Sequence, residues 1–482
     1  MALTTALNNA ASGLRATSRA AELVASNIAN AATPGYVRRE LVLTNDPLGG
    51  VLIAGVSRPV DPLVIADRRL AEAQFAAVDL AAGGLARIET AIGDPTQAGS
   101  LAERIARLEA RLTDAATRPD VDARLAAAVT AADDLTRGIG DVSRTIQDVR
   151  TRADNDIATM VDRVNAALRQ VDDLNDEIVR VGGKALAASN LVEQRQQAID
   201  SIAEILPLRE VPRQNGTVAL FTTGGAVILE GEPQFFGFTP TGIITPAQTL
   251  ADGALSGLTI GRTEIDTTAA RSLLGEGALQ AAFDLRDRTA PAAQATLDAL
   301  ARDLIDRFQD PALDATLGPT DAGLFTDNGL AFDPLNEEGL ALRLEVNAAV
   351  DPARGGDLWR LRDGIGAAAE GPPGDSALLT SFSERLRLPR APASGPAAGQ
   401  TLSFSAQANA FLSGVASDRQ AGESALAFGA ARLESIRVEE AGGGVDTDDE
   451  LQKLLTIEQN YGANARVLQT LDTLLDQILS IT

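Results

Sequence analysis

Both ends of the chain carry long stripes of residues at helical spacing. The N-terminal stripe runs from Leu3 to Ala31 in steps of four and three residues, and the C-terminal stripe runs from Leu454 to Leu479 in the same way. This spacing predicts two helices, each with a seam that packs against other helices. At 1.5 Å per residue the N-terminal stripe of about 29 residues extends roughly 43 Å, and the C-terminal helix of about 32 residues that carries the second stripe extends roughly 48 Å, so the two match in length and can lie side by side.

We therefore predict that the chain assembles through its two ends. The predicted assembly seam consists of Leu3, Leu7, Leu14, Val24, Ile28, Leu454, Tyr461, Leu468, Leu475 and Leu479. Residues 1–40 hold four arginines and two glutamates, a net charge of +2, whereas residues 445–482 hold two cations and seven acids, a net charge of −5. Opposite charge favours pairing of the two ends with each other over pairing of either end with itself.

The composition excludes several classes of chemistry. The 482 residues include no cysteine and no histidine, which rules out disulfides, Cys/His zinc sites, a histidine general base and a Ser-His-Asp triad. We predict no catalytic residue, no metal and no cofactor, although catalysis by carboxylates alone stays open. The formal net charge of −24 argues against nucleic acid and against anionic membranes as partners.

No segment reads as a secretory signal or a membrane span. The first ten residues lack both the basic region and the continuous apolar core of a signal peptide. No uninterrupted apolar stretch approaches the ~20 residues that a helix needs to cross a bilayer. We therefore expect a chain that carries no cleaved signal peptide and does not enter the membrane.

The chain is predicted to be mainly α. Aromatic residues make up only 3% of it, which favours helices packed through small and aliphatic side chains. The predicted architecture is a pair of terminal helices in a coiled-coil-like layer, a long helical-bundle body and a small inserted antiparallel β region. The predicted units are 1–40 with 445–482 (terminal helical assembly domain), 41–207 with 270–310 and 366–444 (helical body), 208–269 (β-meander) and 311–365 (short mixed outer segment).

Local signals support these units. The longest helical seam runs from Val142 to Ile178, and a return helix follows to make a helical hairpin. Asn215-Gly216 and Gly224-Gly225 are strong turn signals for the β-meander. Ser100-x-x-Glu103 and Thr447-x-x-Glu450 have the form of capping boxes that open helices.

Two motifs that resemble ligand sites favour plainer interpretations. Gly182-Gly183-Lys184 resembles part of a phosphate loop, but Ile178 stands where the first glycine belongs and Ala185 replaces the hydroxyl, so a helix stop is favoured. The acids of 446–450 lack the spacing and the glycine of a calcium loop. Acids in a first helical turn complement the macrodipole, and that interpretation is favoured here.

The first helix ends in a distinctive segment. It contains Asn27-x-x-Asn30 and then Thr33-Pro34-Gly35-Tyr36, in which Pro-Gly suits the centre of a type II turn. At the other end, Gly444 to Leu451 is followed by Glu458-Gln459-Asn460-Tyr461-Gly462 and by Arg466 to Thr470. Together these segments resemble the N-terminal and C-terminal signatures of the bacterial flagellar axial proteins of rod, hook and junction.

Within that family the junction members resemble the chain more than the rod and hook members do. Thr33 to Arg39, the helical hairpin that ends in Asn190 to Gln197, and the segment Gly277 to Phe308 are similar to the junction version. Rod and hook proteins share the ends but reach β-rich domains soon after the first helix. The resemblance covers most of 1–310 and 371–482. It departs in 310–365, where many relatives carry larger outer domains.

The resemblance implies a structural subunit that joins hook to filament and is not an enzyme. It implies export by the flagellar type III apparatus without a cleaved signal peptide, and an extracellular place in the flagellum. Implied partners are other copies of the chain, the hook protein, the second hook-associated protein and a cytoplasmic export chaperone on the C-terminal helix. The alternatives are a hook or distal rod protein, and a flagellar peptidoglycan hydrolase with paired carboxylates ~5–9.5 Å apart.

Overall fold

The protein was analysed as a computed structural model. The structure describes residues 2–32, 36–47, 49–57, 61–182, 188–442 and 444–481, with side chains described throughout these ranges except at 2, 3, 442 and 478–481. It is mainly helical with small antiparallel sheets, as predicted.

The elements follow in chain order. The helices are α1 (Ala2–Ala29), α2 (Pro62–Ile92), α3 (Leu101–Thr117), α4 (Asp122–Arg180), α5 (Ala188–Ala203), α6 (Ala278–Asp284), α7 (Ala290–Phe308), α8 (Leu340–Arg343), α9 (Arg360–Asp363), α10 (Ala377–Arg387), α11 (Phe404–Gly442) and α12 (Thr447–Ile481). The strands are β1 (Glu40–Asn45), β2 (Val51–Ser57), β3 (Leu208–Pro212), β4 (Val218–Thr222), β5 (Val227–Glu230), β6 (Glu232–Pro233), β7 (Phe236–Gly237), β8 (Leu258–Ile260), β9 (Thr263–Ile265), β10 (Phe325–Asp327) and β11 (Leu344–Val346). A π-helical turn, Leu285–Thr289, joins α6 to α7.

Side-chain caps set where several helices begin. Ser100 Oγ accepts a hydrogen bond from the Glu103 N–H at 3.2 Å, as the predicted capping box requires. The Glu103 carboxylate, however, accepts from the Gly99 N–H rather than from Ser100. The capping box predicted at 447–450 is wrong, because Asp446 caps α12 through the N–H groups of Asp448 and Asp449.

The helix α4 is the axis of the body. Its 59 residues extend roughly 88 Å at 1.5 Å per residue, and α2, α3, α5 and α7 all pack on it. Its N-terminal half contributes to one hydrophobic core with α3, α7, α10 and α11, and we call this the first core. Its C-terminal half contributes to a second core with α5, α6 and the small sheets.

A fully buried polar joint lies where the two cores meet. On α4 the first core ends at Ala153 and the second begins at Ile157. Between them Asp154 pairs with Arg286 of the π-helical turn at 2.7 Å, and both side chains are 0% exposed. Arg150 donates to the Arg286 carbonyl at 3.0 Å, so the charged groups are held by hydrogen bonds as burial demands.

The predicted β region forms two sheets. Strands β3 to β6 make an antiparallel meander with β3 at its edge, and β7 to β9 make a second antiparallel sheet. Asn215 and Gly216 both have positive φ, at 59° and 81°, as the turn signal between β3 and β4 requires. Phe236 is buried in the second core, whereas Phe235 is 40% exposed beneath the Arg169 guanidinium.

Two segments differ from the sequence-based expectation. Residues 311–365, expected as a short outer segment, contribute Phe325, Val346 and Val350 to the first core, each at most 1% exposed. Short apolar runs between loops carry no periodicity that reveals this burial. Residues 41–57 were assigned to the helical body, but the segments Glu40–Asn45 and Val51–Ser57 pair as the strands β1 and β2, which pack on α1.

Candidate assembly interface

The two terminal helices pack against each other in antiparallel orientation. Asn27 of α1 lies against Glu450 of α12, and Gly13 lies against Asn464, so both helices advance fourteen residues in opposite directions. A Cβ atom on Gly13 would lie 2.8 Å from Asn464 Nδ2, which shows how closely the helices approach. The prediction that the chain ends pair with each other as a helical layer is confirmed.

The pair buries only part of its apolar surface. Among the described apolar side chains of α1, the buried ones are alanines except for Leu23 and Val24, both 6% exposed, and on α12 Leu471 is 8% exposed. The exposed large apolar side chains of the pair are Leu7 (39%), Leu451 (48%), Leu455 (60%), Tyr461 (49%), Val467 (47%), Leu474 (44%) and Leu475 (38%). Exposed apolar side chains in this number are typical of a surface that other molecules cover.

The predicted seam residues divide between these two surfaces. Val24 is buried, and the half-buried members are Leu14, Ile28, Leu454 and Leu468. Leu7, Tyr461 and Leu475 face outward, whereas the side chains of Leu3 and Leu479 lie outside the described residues. Periodicity identified the helical faces but not which members pair inside one chain.

A buried amide holds the base of the helix pair. Asn27 is 0% exposed. Its Nδ2 donates to the Arg39 carbonyl and to Glu450 Oε2, both at 2.9 Å. Its Oδ1 accepts from the Tyr36 hydroxyl and from the Arg39 N–H, both at 3.0 Å. All four hydrogen bonds that the Asn27 side chain can make are therefore used, three to fix the chain that follows α1 and one to hold Glu450.

Glu450 is the acidic centre of this arrangement. It is 1% exposed, and its carboxylate accepts from Arg38 Nε at 2.9 Å and from Lys453 Nζ at 3.1 Å, besides Asn27. Burial lowers the pKa of Arg38, but hydrogen bonds to Glu40 and Glu450 outweigh that effect and raise it. We call Asn27, Tyr36, Arg38 and Glu450 the Asn27 cluster.

Arg39 connects the Asn27 cluster to the body. Its guanidinium pairs with Glu193 at 2.6 Å and donates to Asn190 Oδ1 at 2.8 Å, both on α5. The same guanidinium lies 5.1 Å from the centre of the Tyr36 ring, within cation–π range. The path of the chain between α1 and the body is thus fixed by charged and aromatic contacts.

The β1–β2 hairpin braces the side of α1. Ser12 Oγ accepts a hydrogen bond from the Val51 N–H at 3.1 Å. Gly50 has a φ of +97°, and a Cβ there would lie 2.4 Å from Ser12 Oγ, so this turn requires glycine both for its backbone and for its approach to the helix. Val42, Leu43, Leu52 and Ile53 of the hairpin are between 39% and 53% exposed.

The predicted turn motif is partly located. Asn27 and Tyr36 lie in the Asn27 cluster, and Asn30 Nδ2 donates to the Ser26 carbonyl at 2.9 Å. Thr33, Pro34 and Gly35 lie outside the described residues. The sequence reasoning missed Arg38, Arg39 and Glu450 as interface residues. Their signal was a pair of arginines after the motif and an acid at the start of the last helix, which was interpreted only as a capping-box residue and a complement to the macrodipole.

Within the described ranges, no group of three or more acidic side chains is arranged to hold a metal ion. None of the helices, as far as they are described, combines the length and the apolarity of a membrane span.

Three family profiles match the chain. The profile described as "Flagellar hook-associated protein FlgK helical domain" matches residues 85–312. "Flagella basal body rod protein" matches residues 7–36, and "Flagellar basal body rod FlgEFG protein C-terminal" matches residues 441–481. The two terminal profiles cover α1 and α12, and the helical-domain profile covers the body around α4.

Curated relatives match as well. Flagellar hook-associated protein 1 of Escherichia coli strain K12 is 24% identical over 550 aligned positions, covering 98% of this chain and 99% of that protein. The protein of the same name from Salmonella typhimurium strain LT2 is 26% identical over 238 positions, covering 47% of this chain and 42% of that one. Among solved structures, the flagellar hook junction protein FlgK from Burkholderia pseudomallei matches at 18% identity with a TM-score of 0.45, covering 55% of this chain and 47% of that one.

Proposed function

Because the chain belongs to the family of flagellar hook-associated protein 1, whose members are structural proteins of the flagellum, we propose that it is the subunit that joins hook to filament. The single observation that carries this role is the combination of terminal and central matches in one chain. The ends match rod proteins, which places the chain among axial components, and the body at 85–312 matches the helical domain of the junction protein.

The terminal helix pair supports assembly as the mechanism. Each chain pairs α1 with α12 and leaves large apolar side chains of α12 exposed between Leu451 and Leu475. Burial of such surface contributes about 25 cal/mol per Å², and copies of the same chain supply matching apolar surface. We infer that neighbouring subunits cover each other's terminal pairs, with the outward members of the assembly seam at the contact.

The same proposal identifies the individual partner proteins. One axial neighbour is the hook protein and the other is the second hook-associated protein, since a junction contacts one component on each side. We further propose that a cytoplasmic chaperone covers the exposed apolar side chains of α12 before export, and that the chain leaves through the flagellar type III apparatus without a cleaved signal peptide. Its final place is then extracellular.

The assembly role can be tested at Leu468. This side chain is half-buried, and its neighbour Gln469 is exposed. We expect Leu468→Asp to abolish filament attachment, because a carboxylate at an apolar contact is left unpaired. Gln469→Asp, which adds the same charge at an exposed position, should assemble normally. Motility equal to that of the native protein in Leu468→Asp would contradict the proposal.

The place in the flagellum can be tested separately. We expect a labelled subunit in isolated hook–basal bodies to lie in a single band at the distal end of the hook. Label along the hook or in the rod would favour the alternative of a hook or distal rod protein. Release of soluble fragments from peptidoglycan by the purified protein would favour the second alternative, a hydrolase with paired carboxylates.

A further inference from the structure

A groove opens between α2, α4 and α11 on one side of the body. Its volume is about 570 Å³. The apolar part of its lining comes from Phe75, Met160, Ile205 and Leu433, of which the last three are nearly buried. A cavity of this size accommodates a large apolar side chain together with part of the element that carries it.

Charged side chains frame this groove. Glu72 pairs with Arg437 at 3.1 Å, and Arg163 pairs with Glu204 at 2.9 Å. Glu434 also lines the groove, is exposed and has no ion-pair partner among the described side chains. The groove thus presents an apolar floor beside one uncompensated negative charge.

The other side of α11 presents the opposite features. Phe428 is 73% exposed, although an aromatic ring is among the costliest side chains to leave in water. Arg432, one turn further along the helix, is exposed and likewise lacks an ion-pair partner within the described part of the chain. Phe428 and Arg432 together form what we call the α11 knob.

The knob and the groove face in opposite directions. At 100° per residue, Arg432 lies about 40° from Phe428 around the helix, whereas Leu433 and Arg437 lie about 140° and 180° from it. The knob therefore lies on the far side of α11 from the groove. Knob and groove of one molecule cannot meet, but those of two molecules can.

We propose that the α11 knob of one copy docks into the groove of the next copy, with Phe428 on the apolar floor and Arg432 beside Glu434. The proposal rests on the proposed function, since it names the body contact between subunits of the same assembly. The complementarity is twofold: an exposed ring meets an open apolar groove, and an unpaired cation meets an unpaired acid.

The geometry has a consequence for the form of the assembly. A contact between two different surfaces of the same chain is heterologous, and repetition of it produces a ring or a helix rather than a closed dimer. An axial subunit requires this kind of contact. The subunits then contact each other in two separate layers. One layer is made by the exposed apolar side chains of the terminal helices, and the other by the knob and groove of the body.

The test uses the absence of native cysteine in the chain. Ala425 is exposed beside the knob, and Ala430 lines the groove. The two positions cannot form a disulfide within one chain, because residues five apart on a helix hold their Cα atoms farther apart than the roughly 7 Å limit. In oxidised hook–basal bodies we expect the double variant Ala425→Cys/Ala430→Cys to give a ladder of dimers, trimers and larger species.

Each single cysteine variant is the matched control and should stay monomeric. Dimers from Ala425→Cys alone would indicate a symmetric contact and overturn the proposal. So would a double variant that remains monomeric while labelling places it at the junction, a result that leaves the proposed function intact. The dilute monomer of the double variant should give no ladder.

A second measurement does not depend on disulfide geometry. Phe428→Asp should fold as the native protein does, since the side chain is exposed, yet its occupancy at the junction should fall by at least tenfold. Leu335→Asp is the control, because Leu335 is 91% exposed and belongs to neither surface. Equal occupancy of the two variants would overturn the proposal.

Discussion

At the scale of single residues, the best-defined contact between the chain ends is made by polar groups. Asn27 and Glu450 are 423 positions apart in the sequence, yet Asn27 Nδ2 lies 2.9 Å from Glu450 Oε2 in the structure. A buried carboxylate is stable only when hydrogen bonds and charge compensate its lost hydration. Glu450 receives such compensation from Asn27, Arg38 and Lys453. The Asn27 cluster therefore specifies the register of the terminal pair.

Glu450→Gln tests this role. The amide keeps the shape of the carboxylate but removes its charge and directs an N–H₂ group at neighbours that are themselves donors. We expect the variant to destabilise the terminal pair by about 1–3 kcal/mol, measured as faster amide hydrogen exchange in α12 of assembled flagella. Asp449→Asn, at an exposed neighbouring position, should leave exchange nearly unchanged. Equal effects of the two changes would show that Glu450 contributes only to helix capping.

A second buried carboxylate makes the stability of the protein depend on pH in a predictable way. Burial raises the pKa of Asp298 to about 6, although the N–H groups of Gly339 and Ala341 donate to it at 2.8 Å. Because the folded-state pKa lies above the unfolded value, this group stabilises the fold at pH below about 4. That contribution is lost as pH rises through about 6.

The Asp298→Asn variant isolates this effect. Between pH 4 and 7 the unfolding free energy of the native protein should fall relative to that of the variant by up to about 3 kcal/mol. Urea unfolding followed by Trp359 fluorescence measures it, since this is the only tryptophan and it adjoins the first core through Leu358 and Leu361. A difference that is constant over this range would show that Asp298 has an ordinary pKa.

At the scale of elements, the terminal helices and α4 differ in how much they bury. Within α4, Ile139, Ile146 and Ile157 are each 0% exposed. In α1 the large side chains buried to a comparable degree are Leu23 and Val24. Ordering each backbone residue costs about 1–2 kcal/mol, and full burial of a large apolar side chain contributes about 1.5–3 kcal/mol. The α1–α12 pair alone offsets much less of its ordering cost than α4 does.

We therefore expect the terminal helices to order fully only on assembly. In the dilute monomer, amide hydrogen exchange across residues 4–31 and 451–477 should be fast, while residues 142–178 should be strongly protected. In assembled flagella the terminal segments should become protected. Strong protection of both terminal segments in the monomer would mean that the Asn27 cluster and the pair contact suffice without neighbours.

At the scale of the whole molecule, α4 connects two hydrophobic cores through the Asp154–Arg286 joint. Removing one member of a fully buried ion pair leaves the other charge uncompensated, which costs about 3–5 kcal/mol. Replacing both with apolar residues removes that penalty. The joint therefore makes the two cores dependent on each other for stability.

Arg286→Met and Asp154→Leu test this dependence. Arg286→Met leaves Asp154 without its cation and should lower the unfolding free energy by about 3–5 kcal/mol. Asp154→Leu should lower it less, because Arg286 keeps its pair with Asp287. The double variant should lose clearly less than the sum of the two. In each single variant, Trp359 fluorescence, which reports on the first core, and amide protection in the second core should be lost at different urea concentrations. Additive effects and one coincident transition in every variant would contradict a coupling role for the joint.

Much of the fold follows from local sequence signals. The seam from Val142 to Ile178 predicted α4, because a periodic apolar stripe identifies a helix whatever it packs against. Asn215-Gly216 predicted a turn, because only certain residues adopt the positive φ that the turn requires. The segment 311–365 carried no such signal, so its place in the first core was not predictable.

By itself, the sequence determined the helices at both ends, their matching seams and a composition without cysteine or histidine. The tertiary structure alone decided which seam residues are buried within one chain and that Glu450 is buried. It also decided that α11 carries the knob on one side and lines the groove on the other. Periodicity is a property of neighbouring residues, whereas these features depend on which distant segments meet. That choice is made by the packing of the whole chain, since the free energy of each buried polar group depends on partners far away in the sequence.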